Sequence, residues 1–306
     1  MSFLHFLEGL RTPFFDTLFG YITMLGEETF FIVAGMVFFW CINKRWGYYL
    51  LTVGLTGTVL NQFLKLIFRI PRPWVRDPSL TIVNGSTEAA TGYSFPSGHT
   101  QAAVGVYGGI ARWSKNIWVR VSGIVICALV AFSRMYLGVH TPADVAISTL
   151  LAVVLVFSFY PIVMQAAHNP KGMRILLAAM TAFSIIYLVF VNVYKFPADT
   201  DAENLAHGIK TSYTMLGCIL GLWLSFEMDE RFIRFETKSV WWVQLIKLAV
   251  GFGLVMAIKS GLKQPLYAIL GEGYFADGLR YFLMTAFAGC VWPITFKYFN
   301  KLSKRD

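Results

Sequence analysis

Residues 117–163 read IWVRVSGIVICALVAFSRMYLGVHTPADVAISTLLAVVLVFSFYPIV. Two apolar runs, 117–138 and 142–163, each come close to the roughly 20 residues that an α-helix needs to cross a bilayer. Between them lies a turn that is far from apolar, with Arg134, His140 and Asp144. Thr141-Pro142-Ala143-Asp144 has the chemistry of a helix start: a hydroxyl cap, proline at the first helical position and an acid in the first turn. Asp144 follows His140 by one helical turn, so its carboxylate can accept the ring N–H and fix the tautomer that leaves the other nitrogen free.

Working outward, further apolar stretches occur at about 25–43, 46–69, 97–113, 173–194, 208–226, 240–262 and 279–298. With the first two these predict nine membrane spans. Composition agrees: 56% of the 306 residues are hydrophobic, 16% aromatic and only 14% charged, too few to cover a water-facing surface when a soluble domain carries about 25%. The expected fold is an all-α polytopic membrane protein. Residues 1–24 read as an N-terminal interfacial segment ended near Pro13, 25–194 as a six-span core and 195–306 as a three-span extension. The opening residues lack the basic n-region and small-residue cleavage site of a secretory signal. Cys41, Cys127, Cys218 and Cys290 stand singly in apolar stretches, a pattern against a disulfide framework or a zinc site.

The net charge of +9 reads as topology rather than as a nucleic-acid surface. Of 26 lysines and arginines, 15 fall on the C-terminal side of a nine-span arrangement, with five of the 17 acids. Lysine and arginine concentrate in cytoplasmic loops, so the C-terminus is expected inside the cell and the N-terminus outside. On the outer side lie three blocks: Lys65-Leu-Ile-Phe-Arg-Ile-Pro-Arg72-Pro73, Pro96-Ser97-Gly98-His99, and Ser133-Arg134 through His140 to Asp144. Lys65, Arg72 and Arg134 supply cations, with guanidinium forks suited to phosphate. Ser97 and Gly98 open a helix whose free N–H groups favour an anion. His99 and His140 suit the two tasks of phosphoester cleavage, attack on phosphorus and protonation of the leaving oxygen.

KxxxxxxRP, PSGH and SRxxxxxHxxxD, in that order, resemble the three signature blocks of the type 2 phosphatidic-acid phosphatase superfamily. The resemblance covers roughly residues 60–160. It implies a metal-independent hydrolase without cofactor, in which His140 is the nucleophile, Asp144 its orienting partner and His99 the general acid. Lys65, Arg72, Ser97, Gly98 and Arg134 are then implied to bind phosphate. The implied substrate is a phosphorylated lipid such as undecaprenyl pyrophosphate, phosphatidic acid, phosphatidylglycerophosphate or a sphingoid-base phosphate, with bilayer lipids as the other partner and no nucleic acid. A phosphotransferase on the same site, or a lipid transporter or scramblase on the same frame, are the competing functions. The remaining residues read blandly. His5, His168 and His207 are structural and have no carboxylate at helical spacing; Tyr48, Tyr49, Trp241 and Trp242 form aromatic belts; Lys259, Lys263 and Arg280 anchor at the interface.

Overall fold

A computed structural model of the chain describes residues 1–83, 85–86, 90, 92–166 and 168–302, with side chains through 299. Lys304, Arg305 and the side chain of Lys301, counted above toward the cytoplasmic charge, lie outside the described residues. Among the described residues the chain is helical with no strand, as the all-α reading expects. Six helical stretches are long and apolar enough to cross a membrane: 44–76, 117–136, 142–165, 170–193, 241–270 and 274–299. A seventh forms if Pro13–Met24 and Glu28–Ile42, bent by 46° at their junction, count as one span.

By length and composition, two of the nine expected stretches do not stand out among the described residues. Gly98–Ala103 and Gly109–Trp113 are joined through a π-helical turn, Val104–Gly108, into one stretch that packs along the helix Ile117–Tyr136 and is shorter than the other candidate spans. Ala202–Met228 has the length, but Glu203, Lys210 and Glu227 within it lower its apolarity. Pro13 also behaves differently from expectation. It begins a helix, because the first turn has no use for the N–H that proline lacks, and Thr12 caps that helix by accepting from Phe15 N at 3.4 Å.

The chain divides into two compact units. The first holds residues 1–34, 50–161 and 196–208. Its helices are α1 (Ser2–Glu8), α2 (Pro13–Met24), the start of α3 (Glu28–Val37), most of α4 (Lys44–Phe68), α5 (Pro73–Arg76), α6 (Gly98–Ala103), α7 (Gly109–Trp113), α8 (Ile117–Tyr136) and most of α9 (Pro142–Gln165). α1, α2, α6 and α7 all pack on α8. Its opposite face exposes Ile117, Trp118, Val121, Ile124 and Val125, a stripe that suits lipid. Under the α8–α9 turn, Tyr136, Leu137 and Val139 form a buried cluster with Phe19, Trp74 and Phe132. α1 is clasped to the same region. Leu4 and Leu7 are buried, and Arg11 donates to the carbonyls of Tyr136 at 3.0 Å and Thr81 at 2.8 Å.

His5 has carboxylate partners after all: Nδ1 lies 2.9 Å from Glu8, at helical spacing, and Nε2 lies 2.9 Å from Asp77. These bonds raise its pKa above the ordinary 6.5, Asp77 contributing first. Asp77 is held at about 2, chiefly by the Ser79 hydroxyl and then by His5. Glu8 is also held at about 2, by the Thr81 side chain and backbone N–H.

The second unit holds residues 35–49, 162–195 and 209–306. α10 (Pro170–Val193), α11 (Ala202–Met228), α12 (Trp241–Gly261), α13 (Lys263–Leu270) and α14 (Tyr274–Ala286) are its main helices. A π turn at Phe38–Ile42 carries Trp40, fully buried, whose ring N–H donates to Ala288 O at 2.9 Å. A side chain at Gly251 would meet Trp292 at 2.5 Å and Trp40 at 2.7 Å, so α12 needs glycine there. Lys44 pairs with the buried Asp229 at 2.7 Å. Tyr48 and Tyr49 are not belt residues but buried, the Tyr48 ring packing on Phe39 and Phe226. Arg280 is likewise buried and paired with Asp277, whose carboxylate replaces the interface as its partner.

Candidate active site

The site is built from the N-terminus of α9 outward. Thr141 and Asp144 cap it reciprocally, Thr141 N donating to Asp144 Oδ2 at 2.8 Å and Asp144 N to Thr141 Oγ1 at 3.3 Å. The same Oδ2 accepts from Ser94 Oγ at 2.6 Å and lies 3.6 Å from His140 Nδ1. The cap thus sets the carboxylate beside the imidazole at electrostatic rather than hydrogen-bond distance, and His140 Nδ1 has no hydrogen-bond partner among the described residues. On the other side of the ring, His140 Nε2 lies 2.9 Å from Arg72 Nη1. A guanidinium only donates, so Nε2 must offer its lone pair and the ring proton sits on Nδ1, facing Asp144. Burial first, then the charges of Arg72, Arg134 and Lys65, push the His140 pKa well below 6.5. The imidazole is neutral at pH 7.

Arg72 is held by two carbonyls, Nε donating to Gly92 at 2.9 Å and Nη1 to Val139 at 3.0 Å. Gly92 has φ +74°, and a side chain there would meet Lys65 Nζ at 3.4 Å. Arg134, at the C-terminal end of α8, is 1% exposed and donates through Nη1 to Thr23 Oγ1 at 2.6 Å. Its Nε and Nη2, like His99 Nε2, are buried without a hydrogen-bond partner among the described residues. Such unmet donors are costly unless a ligand meets them. Ser97 caps α6, its Oγ accepting from Thr100 N at 3.4 Å, and Ser97 N donates to Asp144 O at 3.3 Å. Lys65, Arg72 and Arg134 lie within electrostatic reach of both imidazoles.

All eight residues singled out from sequence, Lys65, Arg72, Ser97, Gly98, His99, Arg134, His140 and Asp144, thus fall in one unit around one cluster of cations and imidazoles. Four others escaped notice. Ser94 holds Asp144, Thr23 holds Arg134, and Gly92 lets its backbone approach Lys65 and Arg72. Gly26, at the α2–α3 bend, sits where a side chain would meet His99 O at 2.8 Å and Val130 at 2.7 Å. A small residue at the bend was the available signal, but nothing nearby in sequence marks what it packs on.

Helices that bring three cations, two imidazoles and a carboxylate to one buried point define an anion site in a membrane-protein fold, and comparison with known proteins agrees. Residues 45–167 match the PAP2 superfamily, and residues 213–305 match the PAP2 superfamily phosphatase, transmembrane extension. The chain belongs to the PAP2 superfamily. It is 26% identical over 279 residues to a dihydrosphingosine 1-phosphate phosphatase of Schizosaccharomyces pombe, covering 85% of this chain and 65% of that protein. It is 32% identical to the undecaprenyl-diphosphatase BcrC of Bacillus subtilis, covering 35% of this chain and 52% of the relative. With phosphatidylglycerophosphatase B of Bacillus subtilis it is 33% identical, covering 48% and 75% respectively. The chain spans about two thirds of the first relative's length and about half of the second's. No solved structure matches it.

Proposed function

We propose that the protein is an integral membrane phosphatase that hydrolyses a lipid phosphate monoester or pyrophosphate through a phosphohistidine. The observation that carries this reading is the orientation of His140, with Nδ1 toward Asp144 and the Nε2 lone pair toward Arg72. In the first step Nε2 forms a bond to phosphorus as the P–O bond to the lipid breaks. His99 gives its proton to the departing oxygen. Lys65, Arg72, Arg134 and the Ser97–Gly98 segment hold the charge that develops on the phosphoryl oxygens. In the second step water attacks phosphorus, His99 takes its proton, and the P–N bond breaks to release phosphate. None of these steps calls on a metal ion.

A sphingoid-base phosphate or similar long-chain phosphate monoester is the preferred substrate. The similarity to the dihydrosphingosine 1-phosphate phosphatase covers 85% of the chain, more than the core alone, whereas that to the undecaprenyl-diphosphatase covers about a third. We take the site to be extracytoplasmic and the C-terminus cytoplasmic, a reading supported by the excess of lysine and arginine on the C-terminal side of a nine-span arrangement. The test is phosphate release by purified protein from sphingosine phosphate, phosphatidic acid, phosphatidylglycerophosphate and a polyprenyl pyrophosphate, with chelator present. His140→Ala is expected to lower turnover by about 1,000-fold or more. Near wild-type turnover in that variant, or loss of activity on adding chelator, would overturn the mechanism.

A further inference from the structure

Beside the proposed phosphate-binding residues lies a small cavity, its walls mostly apolar through Phe31, Val53, Ala152 and Leu155, that the reaction above does not use. It measures about 30 Å³, room for one or two water-sized groups. Its walls include Gly54, Gly57 and Asn61 of α4 and Gly98 and Gln101 of α6, with Glu28 of α3 also on its lining. Gly98 is shared with the proposed phosphate site. Asn61 and Gln101 are 2% and 5% exposed and joined by one hydrogen bond, Asn61 Nδ2 donating to Gln101 Oε1 at 3.1 Å.

That single bond leaves two amide groups unmet. Asn61 Oδ1 and Gln101 Nε2 are buried and have no partner among the described residues. Exchanging O and N on both amides changes nothing in the count, since two side-chain amides joined once always leave one free acceptor and one free donor. Both groups border the cavity. Oδ1 lies 3.7 Å from the point where a side chain on Gly98 would begin, and Nε2 lies 2.8 Å from the same point on Gly57. They are closed to solvent in this conformation, so a ligand reaches them through a small rotation of either amide. Glu28 adds an exposed carboxylate within electrostatic reach of Lys65.

We infer that this cavity reads the alcohol portion of the substrate. It accepts a hydroxyl, which donates to one amide and accepts from the other, and a neighbouring ammonium, which pairs with Glu28. The ligand class is a phosphate ester of an amino alcohol, its polar groups a few bonds from phosphorus. A polyprenyl chain offers neither group, and the ester oxygens of phosphatidic acid only accept. The cavity is too small for an acyl chain, and the two amides and Glu28 are polar points on an otherwise largely apolar wall. This inference rests on the lipid phosphatase reading above and adds the basis of its selectivity.

The test compares kcat/KM for three ligands of equal chain length in the same detergent: a 2-amino-3-hydroxyalkyl phosphate, its 3-deoxy analogue and the plain alkyl phosphate. Wild-type protein is expected to favour the first over the third by about 100-fold and over the second by about tenfold, since a ligand lacking the hydroxyl leaves the buried amides unmet. In Asn61→Leu and Gln101→Leu the ratio for the hydroxyl should fall to within threefold of unity. In Glu28→Gln the ratio for the ammonium should fall at least fivefold. The wild-type arm needs no variant to fold. Equal wild-type rates on all three ligands would overturn the inference while leaving the phosphatase reading intact. Variants that slow all three ligands by one factor would also overturn it, reducing the cavity to a structural one. Hydrolysis of none by wild type would overturn both.

Discussion

At the scale of single residues, the site depends on where one carboxylate oxygen points. Asp144 Oδ2 receives Ser94 Oγ and Thr141 N and faces His140 Nδ1. Ser94→Ala removes one of the bonds that aim it, at a cost of about 1 kcal/mol. We expect kcat to fall about three- to tenfold, with KM little changed, because the ring is mis-set rather than the phosphate unheld. Steady-state kinetics on any accepted substrate check this. The buried, cation-ringed His140 keeps its lone pair well below pH 6.5. The acid limb of kcat/KM should accordingly lie below 6.5, and Arg72→Gln, by removing the nearest cation, should move that limb upward. Sequence shows the principal groups because cations and histidines stand out against apolar runs. It hides Ser94 and Thr23, since their partners lie 50 and 111 residues away and a serine or threonine in such a segment carries no pattern of its own.

At the scale of elements, the bend between α2 and α3 brings the first membrane-associated segment onto the proposed catalytic groups. Thr23 bonds Arg134, Leu25 O accepts from Tyr107 Oη at 3.1 Å, and Gly26 lies against His99. Gly26→Ala puts a methyl group against backbone and should cost about 1–3 kcal/mol. If the bend positions His99, this variant lowers kcat more than it raises KM and alters the pH profile; a merely structural role lowers Tm alone. The α1 clasp belongs to the same scale. His5, with its raised pKa, contributes fully below 6.5 and loses its contribution as pH rises through the higher folded value. Glu8 and Asp77 contribute above their ordinary values of 4.5 and 3.8 and lose that as pH falls toward about 2. A spin label on Ser2 should thus be least mobile between about pH 4.5 and 6.5, and His5→Gln should remove the alkaline loosening only. Hydrophobic runs announce helices such as α8 and α9 well. They announce α2 poorly, because Pro13 reads as a stop until Thr12 is seen to cap it.

At the scale of the molecule, six to seven helical stretches among the described residues are apolar enough to span, and the proposed chemistry comes from segments between residues 65 and 144. The span count is harder to read than the class, because a buried, glycine-rich stretch such as 97–113, packed along α8, lacks the length and apolarity of one that faces lipid. On the proposed orientation, protease added outside sealed, right-side-out vesicles should leave a C-terminal tag intact and remove it after detergent. Cleavage without detergent would reverse the orientation. The contact between Arg72 and His140 has a further meaning once turnover is considered as a cycle. An incoming phosphoryl group has to take the guanidinium away from the imidazole, and the departing inorganic phosphate leaves when that contact re-forms. The free protein thus carries an internal competitor for its own product. Arg72→Lys, which loses both this contact and the guanidinium's fork on phosphate, should weaken inhibition by phosphate and vanadate as well as slow the chemical step.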